Sequence, residues 1–287
     1  MHVEQIVSNG TTHKLCPYEL ALLLAAKSNV IITDYYYLFH PEIRDHFLSK
    51  NEIDLENCII IVDEAHNLPY RIKDLASENL STTLLKRAIS EAKKYSQGKA
   101  QTYLENLYSL LEKKAPRVGD ERHMTKGEFT SAVSDFIRYD LLVDFFNNIA
   151  DEIREEQKQS AIGSVGLFLE KWLGGDDGFT RIIATKKGVM NNITTLSYRC
   201  LDPSLISRDV IKRSASTIMM SGTLTPPDMY EKLLGFDEKL TVLKEFPSPF
   251  PEKNRLNMVL AKTSTKYSGR SAKQYQDIAQ IITDIIN

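Results

Sequence analysis

An acidic pair follows an apolar run early in the chain. The run is residues 58–62, and Asp63, Glu64, Ala65 and His66 follow it. A strand of this kind carries the residues after it to the carboxyl edge of a sheet, where open α/β sheets bind ligands. There an Asp can hold Mg²⁺ on nucleotide phosphates, and a Glu can orient the attacking water. His66 is placed to report the nucleotide state to neighbouring loops.

A second segment has the composition of a ligand-binding strand end. Residues 216–220 are extended and apolar in character, and they lead into Ser221, Gly222 and Thr223. Hydroxyl groups and backbone N–H groups at the end of a strand would lie at the same sheet edge as the acidic pair.

A nucleotide site also needs a loop that cradles the phosphates. Its usual pattern is Gly-x-x-x-x-Gly-Lys-Ser/Thr, and the sequence contains no match. We therefore predict that the chain is the central part of a longer protein, without the phosphate-cradling region and the later motor motifs.

The remaining pattern predicts an α/β protein with a helical insertion. Residues 17–29 read as a helix, residues 30–33 as a short buried strand, and residues 41–50 as another helix before the strand at 58–62, which together form a βαβ unit. From residue 72 to residue 172 the apolar spacing is mostly helical, with a loop at 115–127. Extended segments are expected at 179–185 and 193–201, and residues 256–261 read as a strand.

Composition limits the compartment and the partners. The net charge is −2 and 42% of residues are hydrophobic, so there is a sizeable core and no global attraction to nucleic acid. Residues 253–273, however, contain six Lys or Arg and no acidic residue. No apolar run is long enough to span a membrane. Three cysteines do not indicate a disulfide framework, which favours the cytoplasm, or the nucleus in a eukaryote.

Several motifs in this order resemble the XPD-type DNA helicases of superfamily 2. They are CPYE, NVIITDYYYL, IIIVDEAHN, MMSGTL, SPFP and TKYSGRS. The DEAH box alone would indicate only a helicase-like ATPase, but the Cys-Pro-Tyr element and the long insertion before Ser-Gly-Thr are more specific.

The resemblance implies a role for each matching residue. Asp63 would bind Mg²⁺ with ATP, Glu64 would position water, and His66 with Ser221 and Thr223 would couple the ATP state to DNA grip. Cys16 would be one of four ligands of a [4Fe–4S] cluster in the complete protein. Because the chain has too few cysteines for four thiolates, we do not expect it to hold the cluster alone.

The resemblance also implies an architecture and partners. Residues 1–71 would belong to the first, RecA-like motor domain, residues 72–178 to a helical arch-like insertion, residues 179–246 to the first motor domain again, and residues 247–287 to the start of a second. The partners would be single-stranded and forked duplex DNA, and possible repair factors, with no membrane. The activity would be 5′-to-3′ unwinding in nucleotide excision repair.

Two alternatives and a set of DNA contacts complete the predictions. The chain could instead be a non-catalytic DNA- or partner-binding module, or part of a DinG- or FancJ-type iron–sulfur helicase. Candidate DNA contacts are Tyr35, Tyr36, Lys266, Tyr267 and Arg270. For the three consecutive tyrosines beginning at Tyr35, the alternative is two core residues and one surface residue.

Overall fold

The computed structural model describes residues 2–255 and 257–286. The chain divides into two units, Met1–Leu243 and Lys244–Asn287. Among the described residues, no helix combines the length and the apolar character needed to cross a bilayer.

The first unit contains both helices and strands, and one helix ends the second unit. The helices are α1 (Val3–His13), α2 (Pro17–Ala25), α3 (Tyr36–Phe39), α4 (Pro41–Lys50), α5 (Leu68–Leu75), α6 (Thr82–Lys94), α7 (Gly98–Lys114), α8 (Lys126–Ser134), α9 (Tyr139–Glu156), α10 (Ala161–Trp172), α11 (Ser204–Arg213), α12 (Pro227–Leu234) and α13 (Ala272–Ile286). The strands are β1 (Ile59–Val62), β2 (Glu78–Ser81), β3 (Glu121–His123), β4 (Phe179–Lys186), β5 (Ile193–Cys200) and β6 (Ser216–Met219).

Strands β1 and β6 form a parallel pair that carries the acidic motif. Ile59 lies opposite Ser216 and Val62 opposite Met219. β-Branched residues favour this extended backbone. Ile60 and Val62 are buried in a cluster formed with α2, α4, α5 and α11, whereas Ile59 and Ile61 face outward. This cluster therefore anchors β1 from one side.

The other four strands form an antiparallel sheet in the order β2-β5-β4-β3. It packs with the helices α6 to α10 around one large apolar cluster that runs from Leu80 to Tyr198. An apolar stripe along α9 supplies Leu142, Phe146 and Ile153, which are buried, and Trp172 at the end of α10 is fully buried. The cluster thus extends past residue 178, and the predicted domain boundaries remain predictions.

Side-chain caps define where three of these helices begin. Ser81 accepts a hydrogen bond from the Leu84 N–H, and Thr125 accepts one from the Glu128 N–H. Ser160 likewise accepts one from the Gly163 N–H. Each cap satisfies a backbone donor that has no partner within its helix.

Some predicted elements differ from the structure. Residues 30–33 are not a strand, because no described strand pairs with them, and Ile32 is almost fully exposed. The expected βαβ unit is therefore absent from the described residues, and the parallel partner of β1 is the distant β6. The predicted loop at 115–127 contains β3, which pairs with β4. Of the predicted strand at 256–261, Leu256 lies outside the described residues, and residues 257–261 are not extended in a sheet.

Candidate functional site

The site lies where β1 and β6 end side by side. After the two strands, the Met220 N–H donates to the Val62 carbonyl at 3.0 Å, and the Ala65 N–H donates to the Met220 carbonyl at 3.0 Å. These bonds continue the pairing beyond the strands. They bring Glu64 and Ser221, which are 157 residues apart in sequence, to the same edge.

Glu64 has a left-handed backbone, with φ 48° and ψ 41°. That conformation is uncommon for a residue with a side chain, and it persists where surrounding contacts hold it. The Glu64 N–H donates to Asp63 Oδ1 at 2.9 Å, which ties the two acidic residues together. The sharp turn directs the Glu64 side chain toward the end of β6.

Ser221 is the hub of the polar network at this edge. Its hydroxyl donates to Glu64 Oε2 at 3.0 Å and accepts from the Thr223 N–H at 3.1 Å. The same oxygen lies 2.7 Å from His66 Nδ1 and 3.4 Å from the Thr223 hydroxyl. One serine therefore makes four polar contacts, and the two to Glu64 and His66 connect the ends of the two strands.

His66 faces the same polar network through its Nδ1 atom. When the Ser221 hydroxyl donates to Glu64, the matching arrangement is the imidazole tautomer whose Nδ1–H donates to Ser221 Oγ. Nδ1 also lies 3.2 Å from Glu64 Oε2. The histidine thus faces both the carboxylate and the β6 segment, which suits a residue that senses the state of the acidic pair.

Asp63 is suited to contribute one ligand to a magnesium ion. Its side chain is exposed, and Oδ1 already accepts the Glu64 N–H. In the described part of the chain, no group of three or more His, Cys, Asp or Glu side chains could hold a metal ion. Asp63 would hold a magnesium ion through a carboxylate oxygen, and the ion would supply positive charge beside the nucleotide phosphates.

The aromatic candidates near the site have different surroundings. The Tyr35 hydroxyl donates to the Asp63 carbonyl at 2.6 Å and lies 3.3 Å from the Glu64 carbonyl. Burial, and then the Asp63 and Glu64 charges, raise the pKa of Tyr35 above its ordinary value, so it stays a donor. Tyr36 is exposed, while Tyr37 packs edge-on against Phe47. The structure thus gives two packed tyrosines and one exposed one.

The contact between Tyr35 and the acidic motif was missed from the sequence. The signal available was a tyrosine directly after Asp34, at the start of a short helix, and many loops have that composition. Only the packing of α3 against the buried cluster brings the hydroxyl to residues 63 and 64. Asp34 Oδ1 itself accepts a hydrogen bond from the Tyr36 N–H at the start of this helix.

The cysteines do not form a four-thiolate site. Cys16 is exposed and directly precedes α2, with Pro17 at the first helical position. The Cys58 thiol contacts the Asp54 carbonyl at 3.2 Å, and the buried Cys200 thiol contacts the Asp202 carbonyl at 3.4 Å. An iron–sulfur cluster needs four ligands, and this chain contains three cysteines in separate environments. The residues present do not fit the cluster.

The second unit contains the basic candidate contacts. Tyr267 is largely exposed, and the Arg270 guanidinium lies over its ring at 5.2 Å from the centroid. Lys266 directly precedes the short turn Tyr267–Gly269. A cation over an exposed ring is a surface that can contact both a phosphate and a base.

Known proteins resemble the chain in both sequence and fold. The DEAD_2 family model matches residues 1–85, which include the acidic pair. The yeast Saccharomyces cerevisiae "General transcription and DNA repair factor IIH helicase subunit XPD/RAD3" is 24% identical over 97% of this chain. The Sulfolobus acidocaldarius "ATP-dependent DNA helicase XPD" is 27% identical over 84% of it. A solved structure titled "XPD_Helicase" covers 98% of the chain at a TM-score of 0.57 and 21% identity.

These similarities support the predicted resemblance at the level of fold and of helicase type. A parallel strand pair ending in an acidic motif, with the DEAD_2 match over that region, is typical of superfamily 2 helicases. The two relatives and the shared fold support an XPD-type helicase segment, so the predicted resemblance is confirmed. The chain covers 44% of the yeast relative and 40% of the archaeal one, less than half of each.

Proposed function

We propose that this chain contributes the water-positioning and coupling half of an ATP-dependent DNA helicase motor. The observation that carries the proposal is the Ser221 network, in which a β6 hydroxyl binds the Glu64 carboxylate at the end of β1. In this arrangement the group that would orient water is joined directly to the segment that ends the neighbouring strand.

Glu64 would act on the water that attacks the terminal phosphate of ATP. The Ser221 hydroxyl and His66 both contact Oε2, which leaves Oε1 to accept a hydrogen bond from that water. The water oxygen bonds to phosphorus, the bond to the bridging oxygen breaks, and the water protons pass to phosphate and solvent. Magnesium held at Asp63 would offset the negative charge of the phosphates.

Ser221 and His66 would couple the nucleotide state to the rest of the motor. A change in hydrogen bonding at Glu64 alters the partners of the Ser221 hydroxyl, and Ser221 also holds the Thr223 N–H. A change in the hydrogen bonds of Glu64 would therefore alter the conformation of the Ser221-Gly222-Thr223 turn. Nothing within 4 Å of Gly222 obstructs its movement on the side a Cβ would occupy.

The finer features of the proposal rest on the resemblance. They are 5′-to-3′ movement on single-stranded DNA, unwinding of forked duplexes, a role in nucleotide excision repair, and an iron–sulfur cluster to which Cys16 contributes in the complete protein. Tyr36 and the Lys266–Arg270 segment are the proposed DNA contacts. The exposure of Tyr36 and the Arg270–Tyr267 stack support them.

Glu64→Gln in the natural polypeptide that contains this chain tests the proposal. The amide keeps the size of the side chain but loses the carboxylate, so ATP turnover should fall at least about 100-fold with binding retained. ADP release measures turnover, and a fluorescent ATP analogue measures binding.

The matched control is Glu56→Gln, an exposed carboxylate in the turn just before β1, which should leave turnover unchanged. Near-normal turnover in Glu64→Gln would contradict the assignment. If the unmodified protein bound DNA but hydrolysed no ATP, a non-catalytic binding module would be the better description.

A further inference from the structure

Tyr35 reaches the acidic motif from a different part of the chain. Its hydroxyl crosses 28 residues of sequence to bind the Asp63 carbonyl at 2.6 Å, and it lies 3.3 Å from the Glu64 carbonyl. Its ring packs against the buried cluster under β1, and its own carbonyl accepts the Leu38 and Phe39 N–H groups of α3. Hydrogen bonds thus fix both the side-chain hydroxyl and the backbone carbonyl of Tyr35.

The two carbonyls that Tyr35 faces belong to the two peptide planes that flank Glu64. The Asp63 carbonyl belongs to the peptide plane before Glu64, and the Glu64 carbonyl belongs to the plane after it. A donor between both oxygens restrains the rotation of both planes, which are the φ and ψ angles of Glu64. Those angles are in the left-handed region, where a residue with a Cβ needs such a restraint.

We infer that Tyr35 is a positioning residue for Glu64, whose hydroxyl holds the Asp63–Glu64 turn so that the carboxylate is aimed. This inference rests on the proposed function for the catalytic consequence, but not for the contact itself. It assigns Tyr35 a role on the nucleotide side of the motor, in place of the base stacking predicted from the sequence.

Tyr35→Phe isolates the hydroxyl because the ring and its packing remain. The matched control is Tyr70→Phe, which removes an exposed hydroxyl from α5. In the natural polypeptide, Tyr35→Phe should lower kcat about three- to tenfold, the effect of one lost hydrogen bond, and leave the KM for ATP within about twofold. Tyr70→Phe should leave kcat unchanged.

A double-variant comparison separates positioning from general destabilisation. With Glu64→Gln already present, there is no carboxylate left to aim, so adding Tyr35→Phe should lower kcat no further. A further loss of kcat equal to that of the single variant would mean that Tyr35 acts independently of Glu64. That result would overturn the inference.

Amide hydrogen exchange in the 287-residue chain gives a readout that needs no ATP turnover. The Glu64 and Ala65 N–H groups donate to Asp63 Oδ1 and to the Met220 carbonyl. Tyr35→Phe should speed their exchange about three- to tenfold, matching the lost hydrogen bond, with the Leu104 amide of the separate helical core unchanged.

The outcomes distinguish the two proposals. Unchanged exchange at residues 64 and 65 would overturn the Tyr35 role, as would faster exchange with an unaltered kcat. An unmodified protein without ATP turnover would overturn the proposed function, and exchange alone would then decide whether Tyr35 holds the Glu64 turn.

Discussion

The buried Arg181 offers the sharpest test of what stabilises the helical region. Its side chain is 2% exposed. One guanidinium nitrogen donates to the Trp172 carbonyl at 2.8 Å and to the Gly174 carbonyl at 2.7 Å. The group also lies over the rings of Trp172 and Tyr198 and pairs with Asp176. It thereby fastens the turn after α10 to the sheet.

Arg181→Met should lower the free energy of unfolding by about 2 to 3 kcal/mol. The methionine keeps most of the packing, and Asp176 is 77% exposed, so water replaces the ion pair at little cost. The Trp172 and Gly174 carbonyls lose a charged donor, and such bonds contribute roughly 1.5–3 kcal/mol each. Removing the cost of burying the cation offsets part of that loss.

Urea unfolding measures this loss of unfolding free energy. It is followed by the fluorescence of Trp172, the one tryptophan of the chain, which contacts Arg181. The control is Arg138→Met, which removes an exposed arginine whose partner Asp140 is also exposed, and it should leave the unfolding midpoint unchanged. Arg181→Lys, which cannot reproduce the forked geometry, should give an intermediate loss. A loss below about 1 kcal/mol for Arg181→Met would refute the reasoning.

Two further predictions concern the same region. A methyl group at Gly163 would lie 2.9 Å from the Ala150 Cβ, so Gly163→Ala should cost about 1–3 kcal/mol. Gly127→Ala, in open space on α8, should instead add about 0.5–1 kcal/mol in the same urea unfolding assay. Burial raises the pKa of Tyr139, whose hydroxyl donates to the Leu169 carbonyl. Its stabilising effect is complete below the unfolded value of 10.0 and declines above it, so Tyr139→Phe should flatten the loss of stability measured in urea above pH 10. Equal slopes for the two proteins would contradict this.

Much of the local structure follows from the residues themselves. Proline suits the first helical turn, and Pro17 and Pro41 are the first residues of α2 and α4. The α9 stripe is helical in spacing, and most of its members are buried. These features depend on neighbours within a few residues, which the sequence displays directly.

Strand pairing could not be predicted in the same way. Residues 30–33 have the composition of a strand, but a strand forms only with a partner, and no described strand pairs with them. Ile59 and Ile61 belong to an apolar run, yet they are exposed because the described pair has an apolar cluster on only one face.

For the functional site as well, some features follow from the sequence and others only from the tertiary structure. The sequence by itself determined which residues follow the two strands, namely the acidic pair, His66 and the hydroxyl-rich turn, and it predicts phosphate chemistry for them. The tertiary structure alone decided that β6 is the parallel neighbour of β1, that Ser221 binds Glu64, and that Tyr35 holds the Glu64 turn. Those contacts join residues 28 to 157 positions apart, and only the packing of distant segments around a shared core brings such groups within hydrogen-bonding distance.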